Sequence, residues 1–214
     1  MSCRLLFVRH GQSIGNANKA FLGHTDLDLS PLGYKQAECT ANYLKSIHID
    51  CIHSSDLKRA HNTGKAYADM VGLPINDNPD LREIYAGDWE NETFDNLEIK
   101  YPKSFVEVWR NNIGLAHPDN GESVAELLDR VFKAIEKIAI ENDGKTVAVF
   151  AHATVLRSFF SMINGYTLEN MKDWPWPSNA SVSEAIYENG KFTSIRYGYD
   201  EFMNELKSSF PSNV

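Results

Sequence analysis

Chemically capable side chains follow two runs of mainly apolar residues that are typical of buried strands. Residues 5–8 are all apolar and lead directly into Arg9 and His10. Residues 146–150 form the second run, and His152 follows it two positions later. Such runs favour strands of a parallel sheet that is covered on both faces. Because functional groups of these sheets gather at the carboxyl ends of the strands, we expect Arg9, His10 and His152 to face one crevice.

A third strand end adds a second guanidinium group. Residues 50–55 predict a short strand that leads into a helix, with Ser55 or Asp56 as the N-cap. Arg59 then lies in the first turn of that helix, beside free backbone N–H groups and the positive end of the helix dipole. Nothing in folding stability requires so much positive charge at one point.

The chemistry of these groups predicts an anion site. Arg9 and Arg59 present planar forks of donors that match a phosphate or a carboxylate. His10 can act as a nucleophile or a base, and Gly11 allows backbone to come close to a ligand. Burying this much cationic and imidazole character is costly unless an anion completes the site.

Further motifs extend this pattern along the chain. They are Arg9-His10-Gly11, Asn16, Gly23, residues 26–30, residues 55–60, Thr63, residues 81–83, residues 87–90, and Ala151 with His152. Their order, from residue 4 to about residue 200, resembles the histidine phosphatase superfamily, which includes cofactor-dependent phosphoglycerate mutases and broad-specificity phosphatases. The resemblance implies that His10 becomes phosphorylated. It also implies that Arg9, Arg59 and His152 hold the phosphoryl group, and that Glu83 is the proton donor.

The same resemblance implies that Asn16, Gly23 and Ala153 join these residues at the substrate. Two guanidinium forks and a second imidazole can neutralise a transferring phosphoryl group without a metal. A phosphohistidine splits hydrolysis into two easier displacements, and a carboxyl group can protonate the leaving oxygen. We therefore expect a phosphomonoester hydrolase that acts on a small phosphorylated metabolite, with no metal and no cofactor.

Departures from the mutase pattern favour the phosphatases of the family. The mutases have arginine, histidine and tyrosine where this chain has residues 84–86, which are Ile, Tyr and Ala. Only Arg110 remains of a pair of arginines, and Leu22 replaces a threonine. Residues 87–90 look more like the phosphatases. A pocket with fewer cations should hold a phosphorylated intermediate less firmly, so that water hydrolyses the phosphohistidine. A cofactor-dependent phosphoglycerate mutase is the alternative function. Ala153 stands where the mutases have glycine.

Two further classes of function remain open at this point. A metal hydrolase could use the seven histidines, but no histidine or cysteine motif has the spacing of metal ligands. A non-catalytic module that binds a phosphorylated ligand would typically have lost His10 or Glu83, and both are present.

The remaining patterns predict an α/β fold with three layers: a mostly parallel sheet, helices on both faces and an antiparallel hairpin at the edge. Ser30 and Pro31 are typical of a helix start, and Ser123 with Glu126 predicts a capping box. Asn189-Gly190 predicts the hairpin turn. No linker or repeat interrupts residues 1–214, which we interpret as a single histidine phosphatase domain.

The aromatic-rich residues 84–121 predict a helical excursion over the mouth of the site. Its aromatic side chains either contact substrate or simply pack the excursion onto the domain. Residues 174–177 alternate tryptophan and proline. They either cover the edge of the pocket near His152 or form a rigid loop with no role towards the ligand, and we favour the latter interpretation.

Composition limits the partners. The net charge of −8 argues against binding to nucleic acid or acidic membranes. No apolar stretch reaches the ~20 residues that a membrane helix needs, and no signal peptide is evident, so we expect a soluble, cytoplasmic protein. Three cysteines without metal or redox spacing favour reduced thiols, with Cys3 as a candidate surface thiol. The partner is a small phosphorylated substrate, and the oligomeric state cannot be inferred.

Overall fold

A six-stranded mixed sheet lies at the centre of the computed structural model, which describes residues 2–208. Met1 and residues 209–214, which the single-domain prediction includes, lie outside the described residues. The strands are β1 (Ser2–Arg9), β2 (Cys51–Ser54), β3 (Ile75–Asp77), β4 (Thr146–Ala151), β5 (Val182–Glu188) and β6 (Lys191–Tyr199). Their order is β3-β2-β4-β1-β5-β6, in which the first four run parallel and the last two pair antiparallel. The prediction of a mostly parallel sheet with an antiparallel edge is confirmed.

Helices cover both faces of this sheet. They are α1 (Ile14–Ala17), α2 (Pro31–Leu44), α3 (Lys58–Val71), α4 (Phe94–Lys100), α5 (Val124–Glu141) and α6 (Ala153–Ile163). A π-helix, Pro102–Arg110, follows α4, and short 3-10 helices lie at Pro79–Leu81, Gly87–Trp89, Ile113–Leu115, Met171–Asp173 and Glu201–Leu206. Within residues 2–208, no helix is both long and apolar enough to cross a membrane.

Two hydrophobic cores follow from the alternation of side chains along the central strands. Leu5 and Phe7 of β1 belong to the core beneath α5 and α6. Leu6 and Val8 point to the opposite face and belong to the core beneath α2 and α3. Because all four side chains are almost fully buried, β1 has no polar face, as expected for a strand enclosed by two helical layers. The three-layer prediction is confirmed.

Local signals place several element boundaries correctly. Pro31 occupies the first turn of α2, and the Ser30 hydroxyl accepts a hydrogen bond from the Gly33 N–H at 3.1 Å. The capping box predicted at the start of α5 is also present. Asn189 and Gly190 have φ angles of 52° and 76° at the hairpin turn, the left-handed conformation that this dipeptide favours.

Two local expectations are wrong. The N-cap of α3 is Leu57, which makes no side-chain capping bond, instead of Ser55 or Asp56. The Ser55 side chain contacts a histidine from another strand, as described below, and the Asp56 carboxylate binds Arg82. Cys3 is also not a surface thiol, since it lies in β1 with 1% of its surface exposed. Burial raises the pKa of Cys3 to about 11, which keeps the thiol protonated.

The predicted excursion consists of α4, the π-helix and two of the short helices. Trp89, Phe105 and Trp109 are buried in the larger core, so these aromatic side chains pack the excursion onto the sheet and its helices. Trp109 and the half-buried Phe94 also line a cavity at the carboxyl ends of the parallel strands. The excursion therefore packs onto the domain and also lines the cavity, while contact of its aromatic side chains with substrate stays a prediction.

Candidate active site

Three parallel strands end at one place and carry the predicted side chains there. His10 follows β1, Ser55 follows β2 and His152 follows β4, which lies between the other two strands. The His10 N–H donates to the Ala151 carbonyl at 3.0 Å, which continues the β1–β4 ladder to the end of the strands. As a result, the ring centroids of His10 and His152 lie 5.2 Å apart.

A cavity opens to solvent above this edge of the sheet. Its lining residues are Arg9, His10, Ser13, Asn16, Ala20, Phe21, Leu22, Gly23, Arg59, Glu83, Phe94, Trp109, Ala153, Thr154 and Trp176. All the predicted site residues are in this lining except His152. That residue is fully buried and lies beside His10.

The His10 ring is held in one tautomer. Its Nδ1–H donates to the Gly11 carbonyl at 2.7 Å, and a carbonyl oxygen can only accept. Burial, followed by the charges of Arg59 and Arg9, lowers the pKa of His10 well below 6.5. The ring is therefore neutral at neutral pH, and Nε2 carries the lone pair that a nucleophile needs.

His152 shows the complementary arrangement. Its Nε2 lies 2.8 Å from the Ser55 hydroxyl, while its Nδ1 has no hydrogen-bond partner among residues 2–208. Burial and the charge of Arg59 lower the pKa of His152 well below 6.5. A buried imidazole nitrogen without a partner is costly, and an anion bound beside His10 would supply one to an Nδ1–H donor.

Backbone carbonyl groups orient the two buried arginines. Arg9 donates to the Pro177 carbonyl at 2.6 Å, and Arg59 donates to the carbonyls of Gly23 and Thr25 at 2.7 and 2.9 Å. Carbonyl oxygens fix a guanidinium group without cancelling its charge. Burial lowers the pKa of each arginine to about 10, so both remain cations at neutral pH. Together they create the positive potential expected of an anion site.

The Glu83 carboxyl group is positioned from two sides. It accepts hydrogen bonds from the Ile84 N–H at 3.0 Å and the Thr154 N–H at 3.2 Å, the latter in the first turn of α6. The Glu83 carbonyl accepts from Arg130 and from His24, both at 2.9 Å. These contacts hold the Glu83 carboxyl group in the cavity lining, which also includes His10.

The remaining predicted residues also reach the cavity. The Asn16 carboxamide oxygen accepts hydrogen bonds from Ser13 N–H and from Asn179, so its NH₂ group is the end left for a ligand oxygen. Gly23 adopts a φ of +51° and turns its carbonyl towards Arg59. Ala153 is the first residue of α6, where the helix dipole favours an anion.

Gly11 is required for the packing of the loop after β1, in addition to the predicted approach of a ligand, which stays a prediction. A Cβ atom at this position would lie 2.5 Å from the carbonyl oxygen of Gly33 in α2, which is impossibly close. The absence of a side chain therefore lets the loop after β1 pack directly against α2. The Gly11 N–H donates to the Thr63 hydroxyl at 3.0 Å, which ties the same loop to α3.

The interpretation of residues 174–177 as a loop without a role at the site is wrong. Trp176 lines the cavity, and the Pro177 carbonyl holds Arg9. The Trp176 ring in turn packs on the Arg157 guanidinium, whose central carbon lies 4.2 Å from the ring centroid. The loop is rigid, as its prolines indicate, and its rigidity serves the site.

Sequence reasoning missed the residues that support the site. Arg130 donates to the carbonyls of Asp80, Arg82 and Glu83 and so fixes the loop that carries the Glu83 carboxyl group. Its only signal in sequence is a cation within the apolar stripe of α5. The contact of Ser55 with His152 could be predicted in part, because the sequence places Ser55 at the same strand end but predicts it as a helix N-cap. The contact of the Pro177 carbonyl with Arg9 had no signal in the sequence, because every residue has a backbone carbonyl.

Among the described residues, no three His, Cys, Asp or Glu side chains come together in the manner of metal ligands. The cavity instead combines a neutral imidazole with a lone pair, two buried guanidinium groups and a carboxyl group. Such a set can accept a phosphoryl group from an ester and stabilise the charge on its oxygens.

Comparison with known proteins agrees with this chemistry. Residues 5–200 match the family described as "Histidine phosphatase superfamily (branch 1)". The glucosyl-3-phosphoglycerate phosphatase of Mycolicibacterium vanbaalenii is 30% identical over 92% of each chain. A 2,3-bisphosphoglycerate-dependent phosphoglycerate mutase of Cytophaga hutchinsonii is 32% identical over 78% of this chain and 80% of its own. The solved structure of Bacillus stearothermophilus YhfR superposes with a TM-score of 0.89 at 25% identity, covering 94% of this chain and 99% of that one.

Proposed function

The chain belongs to branch 1 of the histidine phosphatase superfamily, and from that premise we propose that it hydrolyses phosphomonoesters of small metabolites through a phosphohistidine at His10. One observation carries the proposal. The buried His10 ring donates its Nδ1–H to the Gly11 carbonyl, which leaves the Nε2 lone pair available between two buried guanidinium groups.

In the first step, His10 Nε2 attacks the phosphorus atom and the ester P–O bond breaks. Arg9 and Arg59 neutralise charge on the phosphoryl oxygens, and His152 donates through Nδ1–H. The carboxylic acid form of Glu83 gives its proton to the leaving alkoxide, which departs as an alcohol. In the second step, the Glu83 carboxylate takes a proton from water, the oxygen attacks phosphorus, and the P–N bond breaks to release phosphate.

The charges around the cavity favour hydrolysis over the mutase alternative. A mutase must retain a second anionic group of its intermediate and needs further cations for it. Three other arginines near the site are occupied in ion pairs: Arg82 with Asp56, Arg110 with Glu98, and Arg130 with Glu122. Arg157 lies behind the Trp176 ring and donates to backbone carbonyls. Among the described residues that line the cavity, Arg9 and Arg59 are the cations. A phosphohistidine in this pocket is therefore open to water.

The experiment compares wild-type protein with His10→Ala on a generic aryl phosphate in the presence of a chelator. We expect metal-free turnover and acid-labile, alkali-stable phosphate on the wild type, and neither on the variant, because the covalent route needs the imidazole. His48→Ala is the matched control, since its side chain is 87% exposed and outside the cavity lining.

Each alternative predicts a different result. Turnover that the chelator abolishes would indicate a metal hydrolase, and the absence of turnover with intact phosphate binding would indicate a binding module. Conversion of 3-phosphoglycerate to 2-phosphoglycerate faster than hydrolysis, with 2,3-bisphosphoglycerate added, would indicate the mutase.

A further inference from the structure

One wall of the cavity is apolar and continuous. It consists of Phe21, Leu22, Phe94, Trp109 and Trp176 together with the small Ala20. The Phe21 ring lies 4.9 Å from Trp109 and 6.2 Å from Phe94, and Trp109 lies 6.3 Å from Trp176, measured between centroids. These distances are those of touching aromatic rings. We call this set of residues the aromatic wall.

Residues outside the cavity support the aromatic wall. Trp109 packs edge-on against the fully buried Trp89, and Trp176 rests on the Arg157 guanidinium. Arg157 is itself fixed by hydrogen bonds to the carbonyls of Trp174 and Lys172, each at 2.9 Å. The wall is therefore a preformed surface, and a ligand that covers it does not have to pay for ordering it.

The polar groups of the cavity belong mainly to the anion site. The lining cations are Arg9 and Arg59, and both face the position of the phosphoryl group in the proposed mechanism. Ser13 uses its hydroxyl to cap α1, and the Thr154 N–H is engaged by Glu83. Beyond the Asn16 NH₂ group and the Trp109 indole N–H, which has no partner among the described residues, the aromatic wall offers few partners. A carboxylate or several hydroxyl groups placed against it would therefore lose more hydrogen bonds to water than they gain, which is unfavourable. An apolar group there would gain from burial.

We propose that the preferred substrates are phosphomonoesters of alcohols that carry an apolar ring a few bonds from the ester oxygen. This inference rests on the proposed function and names its substrate class. The phosphoryl group binds at His10, the ring covers the aromatic wall, and phosphorylated glycerates and polyols are poorer substrates.

The test uses three primary alkyl esters: 3-phenylpropyl phosphate, n-propyl phosphate and glycerol 3-phosphate. All three release primary alcohols, so the comparison separates contact with the wall from the quality of the leaving group. We expect kcat/KM for 3-phenylpropyl phosphate to exceed that for glycerol 3-phosphate by about tenfold or more, the range that apolar pockets supply. The n-propyl ester should lie between them.

Trp176→Ala should lower this ratio about tenfold, while inhibition by inorganic phosphate stays unchanged because the anion site is intact. Trp174→Ala is the matched control. Trp174 is also half-buried, lies two residues away on the same loop and is absent from the cavity lining, so its loss should leave the ratio near the wild-type value. Leu22→Thr puts a hydroxyl group into the wall and should also lower the ratio. This variant replaces Trp176→Ala as the test if Trp176→Ala does not fold.

Equal kcat/KM for the three esters, or a preference for glycerol 3-phosphate, would overturn the inference while leaving the phosphatase function standing. An equal fall of the ratio in Trp174→Ala and Trp176→Ala would also overturn it, because loop packing would then be the cause. If no ester is hydrolysed and no phosphohistidine forms, the proposed function fails and this inference fails with it.

Discussion

At the scale of single residues, hydrogen bonds to backbone decide what the functional groups of this site can do. The Gly11 carbonyl keeps the proton of His10 on Nδ1. Carbonyl groups also aim Arg9 and Arg59 without neutralising them. The Glu83 carboxyl group is held by the Thr154 N–H at the start of α6 and by the Ile84 N–H. Each reactive side chain therefore has a geometry set by main-chain atoms, whose positions depend on the fold as a whole.

Glu83→Gln tests the proton-donor role at this scale. An amide cannot protonate an alkoxide, so hydrolysis of alkyl esters should fall by about 10² to 10⁴. Activated aryl esters, whose leaving groups need little protonation, should be much less affected. Glu107→Gln is the control, because Glu107 is exposed and absent from the cavity lining. An equal loss on both ester types would show that Glu83 positions the substrate or the attacking water.

At the scale of elements, the site exists because parallel strands end together and two helices begin beside them. β1, β4 and β2 deliver His10, His152 and Ser55 to adjacent positions. Helices α3 and α6 begin at the same edge and add Arg59 and the N–H that holds Glu83. A more distant helix, α5, contributes through Arg130, which donates to the carbonyls of Asp80, Arg82 and Glu83.

Arg130→Lys tests whether this contact positions the Glu83 carboxyl group. Lysine keeps the charge but replaces the planar fork by a point donor, so the loop carbonyls lose part of their support. We expect kcat on alkyl esters to fall by about tenfold or more, as small displacements of catalytic groups do. The loss on activated aryl esters should be smaller, as for Glu83→Gln.

The matched control is Arg4→Lys, since Arg4 pairs with Glu184 across the sheet and is absent from the cavity lining. If Arg130→Lys lowers alkyl and aryl turnover equally, Arg130 supports the fold in general and not the proton donor in particular.

At the scale of the whole molecule, two cores enclose the sheet and bury the site with it. His10 and His152 are 4% and 0% exposed, and Arg9 and Arg59 lie beside them at 2% and 1%. The chain carries a net charge of −8, yet its most buried charged groups at this edge are cations. Without a bound anion, this arrangement opposes folding, because desolvated like charges are brought together.

The buried histidines predict a loss of stability in mild acid. Their folded-state pKa values lie well below 6.5, whereas the unfolded chain binds protons near 6.5. As pH falls below about 6.5, the unfolded state takes up protons that the native state refuses, so the free energy of unfolding decreases. Two such groups contribute a slope of up to about 2.7 kcal/mol per pH unit.

Urea midpoints between pH 7.5 and 5.5 measure this slope. His10→Gln should make it shallower, by up to about 1.4 kcal/mol per pH unit at the acid end of this range, where the unfolded-state histidine binds nearly one proton. Inorganic phosphate should raise the stability of the wild type by binding the native state. His48→Gln serves as the control, because the His48 side chain is exposed. A slope that is identical in wild type and His10→Gln would contradict the burial of a neutral His10.

Features that depend on local chemistry could be predicted from the order of the amino acids. Alternating and continuous apolar runs predicted β1 and β4, Ser30-Pro31 predicted the start of α2, and Asn189-Gly190 predicted the hairpin. Strand ends marked by Arg9, His10 and His152 indicated an anion site, because such residues are costly to bury for any other purpose. The ordered motifs indicated the family, which the match over residues 5–200 confirms.

Only the tertiary structure decided how the site is supported and what surrounds the phosphoryl position. Pro177 holds Arg9 across 168 positions of sequence, and Ser55 meets His152 across 97. Gly11, in the loop after β1, owes its identity to Gly33 in α2. Contacts of this kind carry no local signal, because a carbonyl looks alike in every residue and a close approach depends on where two elements pack. For the same physical reason, the aromatic wall with Trp176 could be recognised only once the loop had been placed against the cavity.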